Sequence, residues 1–511
     1  MQKTLCTLAV AATLAAAATD VTAESRKDLT MAVTGLTKHL DPMGQNANVN
    51  ERISQNVLEN LIFWDFENGG FKPGLAESWR MLDDTTMELT LRSGVMCHNG
   101  EDFTAEDVAI MFGPERFNGE AAPGWPIARS FLGIIESVKA IDPTTVHIKT
   151  RSPDPLLEHR LASWMGQVPC ADAYREAANW ESWGTAVVGT GPYRVAEVRP
   201  AELQRFEAFD GYWGGTPPLQ SFTLKIVPEM ANRVSGLLTG EFDMITEITP
   251  DQFDTIESSP DARVEGGPIR NIRVVLYDKS DPVLADPRIR RAMNMAIDRE
   301  LIVKTLFGGK TTVPHGLQMK SFGDMFVEDH QPADFDPDAA RRLIEETGYD
   351  GKPFTYRYVN DYYTAEVATA QILQQMWKDV GLNVQLDMKE SWDPITGKNP
   401  EPGRAVLNLS NAAYYPDPLG QLFRLYGKGG YVPTRNIWSN AEFDGLQDEL
   451  LSLDHPTRKQ AFARLLEIYE QDPPGTFLHV LPMFYGVRAD VEWTAKDTAF
   501  MDFRPGKIST Q

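Results

Sequence analysis

Cysteine is nearly missing from this chain of 511 residues: there are three, and histidine occurs only eight times. The histidines are scattered. No H-E-x-x-H or C-x-x-C is present, so a zinc site has no support. No G-x-S-x-G marks a hydrolase nucleophile. "GGKTT", Gly308 to Thr312, looks like the end of a phosphate loop, but the required first glycine falls on Lys304; a helix terminus is the better reading. His98 in "CHNG" has no visible catalytic partner and reads as a histidine hydrogen-bonded at a turn. Acid pairs such as Asp83-Asp84 and Glu345-Glu346 read as solvated faces. No catalytic constellation can be assembled.

Positive charge is also scarce. Lys and Arg number 49 against 72 Asp and Glu, a formal net charge of −23. A nucleic-acid partner needs a basic stripe and none is visible. Past the N-terminus, no apolar run approaches the 18 or so residues of a membrane span.

The N-terminus reads "MQKTLCTLAVAATLAAAATDVTAES". Lys3 gives a short positive region, Leu5 to Ala18 an apolar run, and Val21-Thr22-Ala23 the small residues of a cleavage site. Residues 1–23 are therefore expected to be a secretory signal, which directs the chain to the periplasm. Cys6 is removed with it. Cys97 and Cys170 remain; in an oxidising compartment they either close a disulfide or stand as two separate buried residues.

What remains is ordinary globular composition, 42% hydrophobic and 24% charged, long enough for two to four folding units. Ile53, Val57, Leu58, Leu61 and Ile62 recur at helical spacing. Met87, Leu89 and Leu91 alternate as a strand. Thr104 is a good N-cap, with Asp107 in the first turn. "DPRIRRAMNMAIDRELIVKTLFGG" reads as a helix pair opened by Asp286 and Pro287. "DPDAARRLIEETGYDG" repeats that logic, from Asp336 to the stop at Gly348. A helix closed by Gly381 runs into the alternation of Val384, Leu386 and Met388. Helix–glycine–strand units of this kind indicate α/β architecture.

"LAESWRMLDDTTMELTLRSGVMCHNGEDFTAEDVAIMF" resembles a signature of the family 5 extracellular solute-binding proteins, the dipeptide, oligopeptide, nickel and opine receptors of ABC importers. Cys97 stands where that family usually has an aromatic residue, and Asn99 where it has Asp. "VGTGPYRV", followed by "FDGYWGGTPPL", and "ADPRIRRAMNMAIDRELI" resemble two further signatures, in the family order. The resemblance spans essentially the whole mature chain. It implies an α/β two-lobe periplasmic-binding-protein fold, type II and cluster C-like. Lobe I would take residues 24–266 and 481–511, and lobe II residues 267–480. Strand crossovers near Gly266-Gly267 and Leu481-Pro482 would form the hinge. It also implies a monomer without catalytic activity, cofactor or metal, whose partners are a small-molecule ligand and the membrane subunits of an ABC permease.

The resemblance further implies a set of ligand-binding positions. Asn48, Asn50 and Glu51 would face the cleft from a loop after the first strand. Asn271 and Arg273 lie past the first crossover, and Arg273 suits a carboxylate or phosphate. Tyr362 starts a lobe II helix. The stretch "NAAYYPDPLGQLFRLYG" brings Asn411, Tyr414 and Asp417. Peptide-binding members carry a carboxylate for the peptide amine three residues before the Asp of a D-P pair; here that position is Tyr414. This departure, with "SNAAYYPD" and "VNDYYTAEVATAQILQQMWKDVGLNV", resembles the opine branch, including receptors for agrocinopine-type conjugates. The expected ligand is opine-like, a sugar conjugate or a modified peptide. An ordinary peptide is the alternative, and a secreted hydrolase or chaperone is a more distant one.

Overall fold

Ten strands form one mixed sheet that crosses the molecule. They are β1 (Asp28–Val33), β2 (Tyr193–Arg199), β3 (Leu203–Ala208), β4 (Ser221–Ile226), β5 (Met244–Thr246), β6 (Ala262–Tyr277), β7 (Phe354–Val359), β8 (Val384–Lys389), β9 (Val406–Ala412) and β10 (Gly475–Arg488). Their spatial order is β2-β3-β4-β1-β5-β10-β6-β9-β7-β8. The computed structural model describes residues 27–45, 48–360, 362–397 and 400–511. The expected signal segment lies outside the described residues.

The two longest strands, β6 and β10, pair antiparallel from Ala262↔Arg488 to Leu276↔Gly475. One end of this ribbon joins β5, at Met244↔Val487. The other joins β9, from Asn271↔Ala412 to Tyr277↔Val406. The result is a two-lobe α/β fold. The first lobe is built on β1–β5, the second on β7–β9, and β6 and β10 run through both.

The ribbon is weakest in its middle. Pro268 lies opposite Pro482, and the register shifts on either side of Ile272. Neither proline has an N–H to donate, so the ladder is interrupted where the chain passes between lobes. Gly266 sits there at φ +103°, and a Cβ would come within 2.2 Å of the Met483 carbonyl oxygen. Only glycine fits that backbone.

The helices that bear on function are α1 (Asn48–Ser54), α2 (Ala105–Met111), α3 (Trp125–Leu132), α4 (Pro287–Met295), α5 (Arg299–Phe307), α6 (Pro337–Thr347), α7 (Glu366–Asp379) and α8 (Pro418–Tyr426). Their ends follow local chemistry. Thr104 and Asp107 form a capping box on α2. Asp286 and Asp336 cap α4 and α6, each with a proline in the first turn. Gly348, at φ +70°, stops α6. Gly308, left-handed at φ +56°, ends α5, so "GGKTT" begins at a helix terminus.

The helical spacing of Ile53 to Ile62 is a false guide. α1 stops at Ser54, and Glu59–Asn60 and Ile62–Trp64 are short strands. Tertiary contacts override the local pattern. Asn56 donates to the Met501 carbonyl at 2.8 Å and accepts from the Phe503 N–H at 2.9 Å. Glu59 accepts from Thr190, Tyr212 and Trp213 at 2.8, 3.0 and 2.7 Å.

The first lobe also carries a four-stranded antiparallel sheet of Ala76–Asp83, Thr86–Leu91, Thr145–Thr150 and Ile135–Asp142, in that order. Met87, Leu89 and Leu91 point into its core together with α2, α3 and Cys97. Cys97 and Cys170 form a disulfide there, with their Cα atoms 6.2 Å apart. His98 donates from Nε2 to the Gly191 carbonyl at 2.9 Å and accepts the Gly189 N–H at Nδ1, 3.3 Å away. It is a turn histidine, and burial pushes its pKa down to about 4.

Candidate ligand-binding cleft

Two cavities of about 550 and 420 Å³ lie between the lobes. Asn48, Val49, Tyr362, Tyr363 and Trp392 border both, so they form one continuous cleft. α1 supplies the first-lobe wall. The segment after β7, the Glu390–Thr396 turn, the end of β9 and α8 supply the other.

At the junction stand three aromatic rings. Tyr362 meets Trp392 edge-on with centroids 5.0 Å apart, and meets Tyr363 in the same way at 4.8 Å. Tyr362 keeps 43% of its surface exposed. Rings held at right angles with open faces offer apolar platforms to a ligand.

The larger chamber reaches the crossover at Leu481, Pro482 and Met483. Its first-lobe side holds an ion pair between Arg52 and Glu247. Thr34 also donates to Glu247, at 3.2 Å. Glu247 is one of the few non-glycine residues with positive φ, at 51°, a conformation that costs on the order of 1 kcal/mol.

The smaller chamber is bordered by Asn271, Ser410, Tyr414, Arg424, Tyr431 and Arg435, among others. Arg424 donates to the Ser410 carbonyl at 2.7 Å. The Arg435 guanidinium lies 4.2 Å from the centre of the Tyr431 ring. Tyr414 packs on Phe131 of α3 and faces Trp164, at 4.8 and 6.1 Å between centroids. It therefore touches the first lobe from the second.

Beyond Tyr414 is a narrow void bordered by Glu51, Gln55, Trp64, Phe66 and Arg270. Burial raises the Glu51 carboxyl to about 7, opposed by Arg270 and reinforced by Asp497. Arg270 pairs with Asp497 at 3.1 Å.

Asn48, Glu51, Asn271, Tyr362 and Tyr414 thus border the cleft or its extension. Asn48, Asn50 and Glu51 belong to α1 rather than to a loop. Asn50 is fully buried and donates to the His39 carbonyl at 2.5 Å; it serves local structure. Asn411 is fully buried in β9 opposite Ile272 and borders neither chamber.

Two of the expected residues are engaged by the protein's own groups. Arg273 is 1% exposed. It donates to Glu366 at 2.5 Å and to the Leu409 carbonyl, and lies 4.1 Å from the Tyr363 ring centre. Its fork is occupied by the protein's own carboxylate. Asp417 is 4% exposed, caps α8 by accepting the Leu419 N–H at 2.9 Å, and pairs with Arg458 at 2.7 Å. A buried cap already paired with arginine has no free oxygen for a ligand amine.

The sequence reading missed Trp392, Tyr363, Arg424 and Arg435. Arg424 stood inside the aromatic stretch. Nothing local distinguished Trp392 from a core tryptophan. Among the described residues no cluster of His, Cys, Asp and Glu could hold a metal ion, and no helix is long and apolar enough to cross a membrane.

A cleft between two lobes joined by a two-stranded ribbon is the architecture of a solute receptor. The chain belongs to the bacterial extracellular solute-binding proteins, family 5, whose middle-region model matches residues 70–432. It is similar to the glutathione-binding protein GsiB of Escherichia coli (strain K12), at 26% identity over 463 residues and 88% of each chain. In structure it is similar to a dipeptide-binding protein from Pseudoalteromonas sp. SM9913 in complex with Met-Leu. The TM-score is 0.85 at 23% identity, covering 95% of this chain and 100% of that one. It is also similar to AgaA from A. tumefaciens R10 in complex with agropinic acid. There the TM-score is 0.80 at 20% identity, covering 91% and 94% of the two chains. The protein is a substrate-binding component of ABC-transporter type.

Proposed function

We propose that the protein captures a small opine-like solute, sugar conjugate or modified peptide in the periplasm and delivers it to a membrane permease. The observation that carries this reading is Tyr414. Where peptide-binding members hold a carboxylate, this chain presents a ring on the cleft wall. The Tyr362, Tyr363 and Trp392 rings extend that surface toward the larger chamber. AgaA, a structural neighbour, is in complex with agropinic acid, an opine.

In this reading the lobes are residues 24–266 with 481–511, and residues 267–480. They move about the ribbon at Gly266-Gly267 and Leu481-Pro482. A ligand touching α1 on one side and Trp392 or Tyr414 on the other stabilises the closed form by contacts that only that form makes. Closure presents both lobes to the permease. The protein acts as an exported monomer, without a cofactor.

The second reading is an ordinary di- or oligopeptide receptor. It is favoured by the Met-Leu complex of one structural neighbour and by Glu51, a cleft carboxylate on the first lobe that suits a peptide amine. A thermal-shift screen of the ligand-free protein separates the two, since binding to the native state raises the midpoint by mass action. A midpoint raised by opines or sugar conjugates and not by peptides supports the first. A midpoint raised by peptides alone overturns it in favour of the second.

A further inference from the structure

The smaller chamber has an unusual charge balance for this protein. The chain carries an excess of acids, yet the described residues bordering this chamber include two arginines and no carboxylate. Several other arginines have acidic partners: Arg116 with Asp41 at 2.9 Å, Arg160 with Asp154 at 2.7 Å, and Arg404 with Asp278 at 2.8 Å; buried Arg233 and Arg299, which border neither chamber, donate instead to carbonyl and hydroxyl oxygens. Arg424 and Arg435 form no ion pair among the described residues. Their Nε atoms are buried without a hydrogen-bond acceptor.

Leaving charged donors unsatisfied in a partly enclosed site costs free energy that a bound anion recovers. Arg424 is aimed by its bond to the Ser410 carbonyl, and Arg435 by its stacking on Tyr431. Asn271 lies beside them, and its Oδ1 is buried without a donor. The chamber therefore presents two guanidinium groups and no opposing carboxylate among the described residues that border it. Guanidinium forks match carboxylate and phosphate oxygens better than any neutral group.

From this geometry we infer that the ligand is an acid carrying two anionic groups, one held by Arg424 and one by Arg435. The inference rests on the receptor reading and narrows its substrate class. Polyacidic amino-acid conjugates and acidic peptides fit. Neutral sugars and cationic peptides do not.

The test has two arms. In the first, citrate is compared with chloride at equal ionic strength by thermal unfolding of the wild type, Arg424→Gln and Arg435→Gln. Citrate is expected to raise the wild-type midpoint, with each variant losing at least half of that increment. Equal increments in all three proteins overturn the inference. Without citrate, each variant is expected to lose less stability than Arg404→Gln, because neither Arg424 nor Arg435 forms an ion pair among the described residues while Arg404 is paired with Asp278. In the second arm, agropinic acid, glutathione and Met-Leu are titrated by calorimetry, each beside its esterified form. Binding of an acid is expected to weaken about 10- to 100-fold on esterification and in either arginine variant, the loss of a charged hydrogen bond. An ester that binds as tightly as its acid overturns the inference and leaves the receptor reading standing. A wild type that binds no member of either set overturns both.

Discussion

The Tyr414 ring meets the Phe131 ring edge-on, with centroids 4.8 Å apart and an interplanar angle of 78°. Phe131 belongs to α3 in the first lobe, and Tyr414 to the segment before α8 in the second. Tyr414 also borders the smaller chamber, so one side chain both lines the cleft and couples the lobes. An aromatic pair of this geometry contributes about 0.5–1.5 kcal/mol beyond its buried area. Tyr414→Leu and Phe131→Leu should each weaken ligand binding several-fold, roughly 1 kcal/mol. A double-mutant cycle should return a coupling of about 1 kcal/mol. Strictly additive losses would show that the contact does not contribute to closure.

Asp417 should behave as a structural residue. Asp417→Ala removes the α8 cap and strands Arg458, which is 7% exposed. Loss of a buried ion-pair partner costs roughly 3–5 kcal/mol, and loss of a cap about 1 kcal/mol. Denaturant unfolding should show that loss, while the folded fraction keeps its ligand affinity. An affinity change at unchanged stability would restore Asp417 as a ligand contact.

The Cys97–Cys170 disulfide joins positions 73 residues apart. A loop of that length stabilises by about 4 kcal/mol through lost entropy of the unfolded chain. The Cys97→Ser, Cys170→Ser double variant should lose about 2–4 kcal/mol. The cleft is formed by other elements, so affinity should hold. Unchanged stability after reduction would contradict this role.

His479 provides a pH test. It is 2% exposed, its Nδ1–H donates to the Val480 carbonyl at 3.0 Å, and its ring packs on Phe307 at 4.4 Å. Burial pushes its pKa from 6.5 to about 4; the Val480 hydrogen bond opposes this and the charge of Arg273 adds to it. Between those values the unfolded chain binds a proton that the folded one does not. The contribution is therefore full above about pH 6.5 and is lost as pH falls toward about 4. Relative to His479→Gln, the wild type should lose up to roughly 3 kcal/mol over that window. Parallel stability profiles, or a protonated ring at about pH 5.5 by NMR, would contradict the assignment.

Much of the fold was legible because its signals are local. Thr104, Asp286 and Asp336 satisfy helix N–H groups within a few residues of themselves, and Gly348 meets a left-handed requirement on the spot. The region from Ile53 to Ile62 failed because Asn56 and Glu59 take partners far away in sequence, at residues 501, 503, 190, 212 and 213. The cleft was partly legible for the same reason. Asn48, Glu51, Asn271, Tyr362 and Tyr414 follow from position in the chain. The direction of a side chain does not. Arg273 looked available because its partner, Glu366, is 93 residues away. Arg424, inside a marked stretch, looked ordinary because its exceptional feature is that no acid pairs with it among the described residues.

The most direct test of the central claim is calorimetric titration of the refolded, ligand-free protein with agropinic acid, glutathione and Met-Leu, repeated on Trp392→Ala. Saturable binding of at least one compound is expected, one molecule per chain, weakened about tenfold or more in the variant through loss of the ring at the chamber junction. Binding that ignores Trp392, or no binding by any of the three, would contradict a receptor that holds its solute between these lobes.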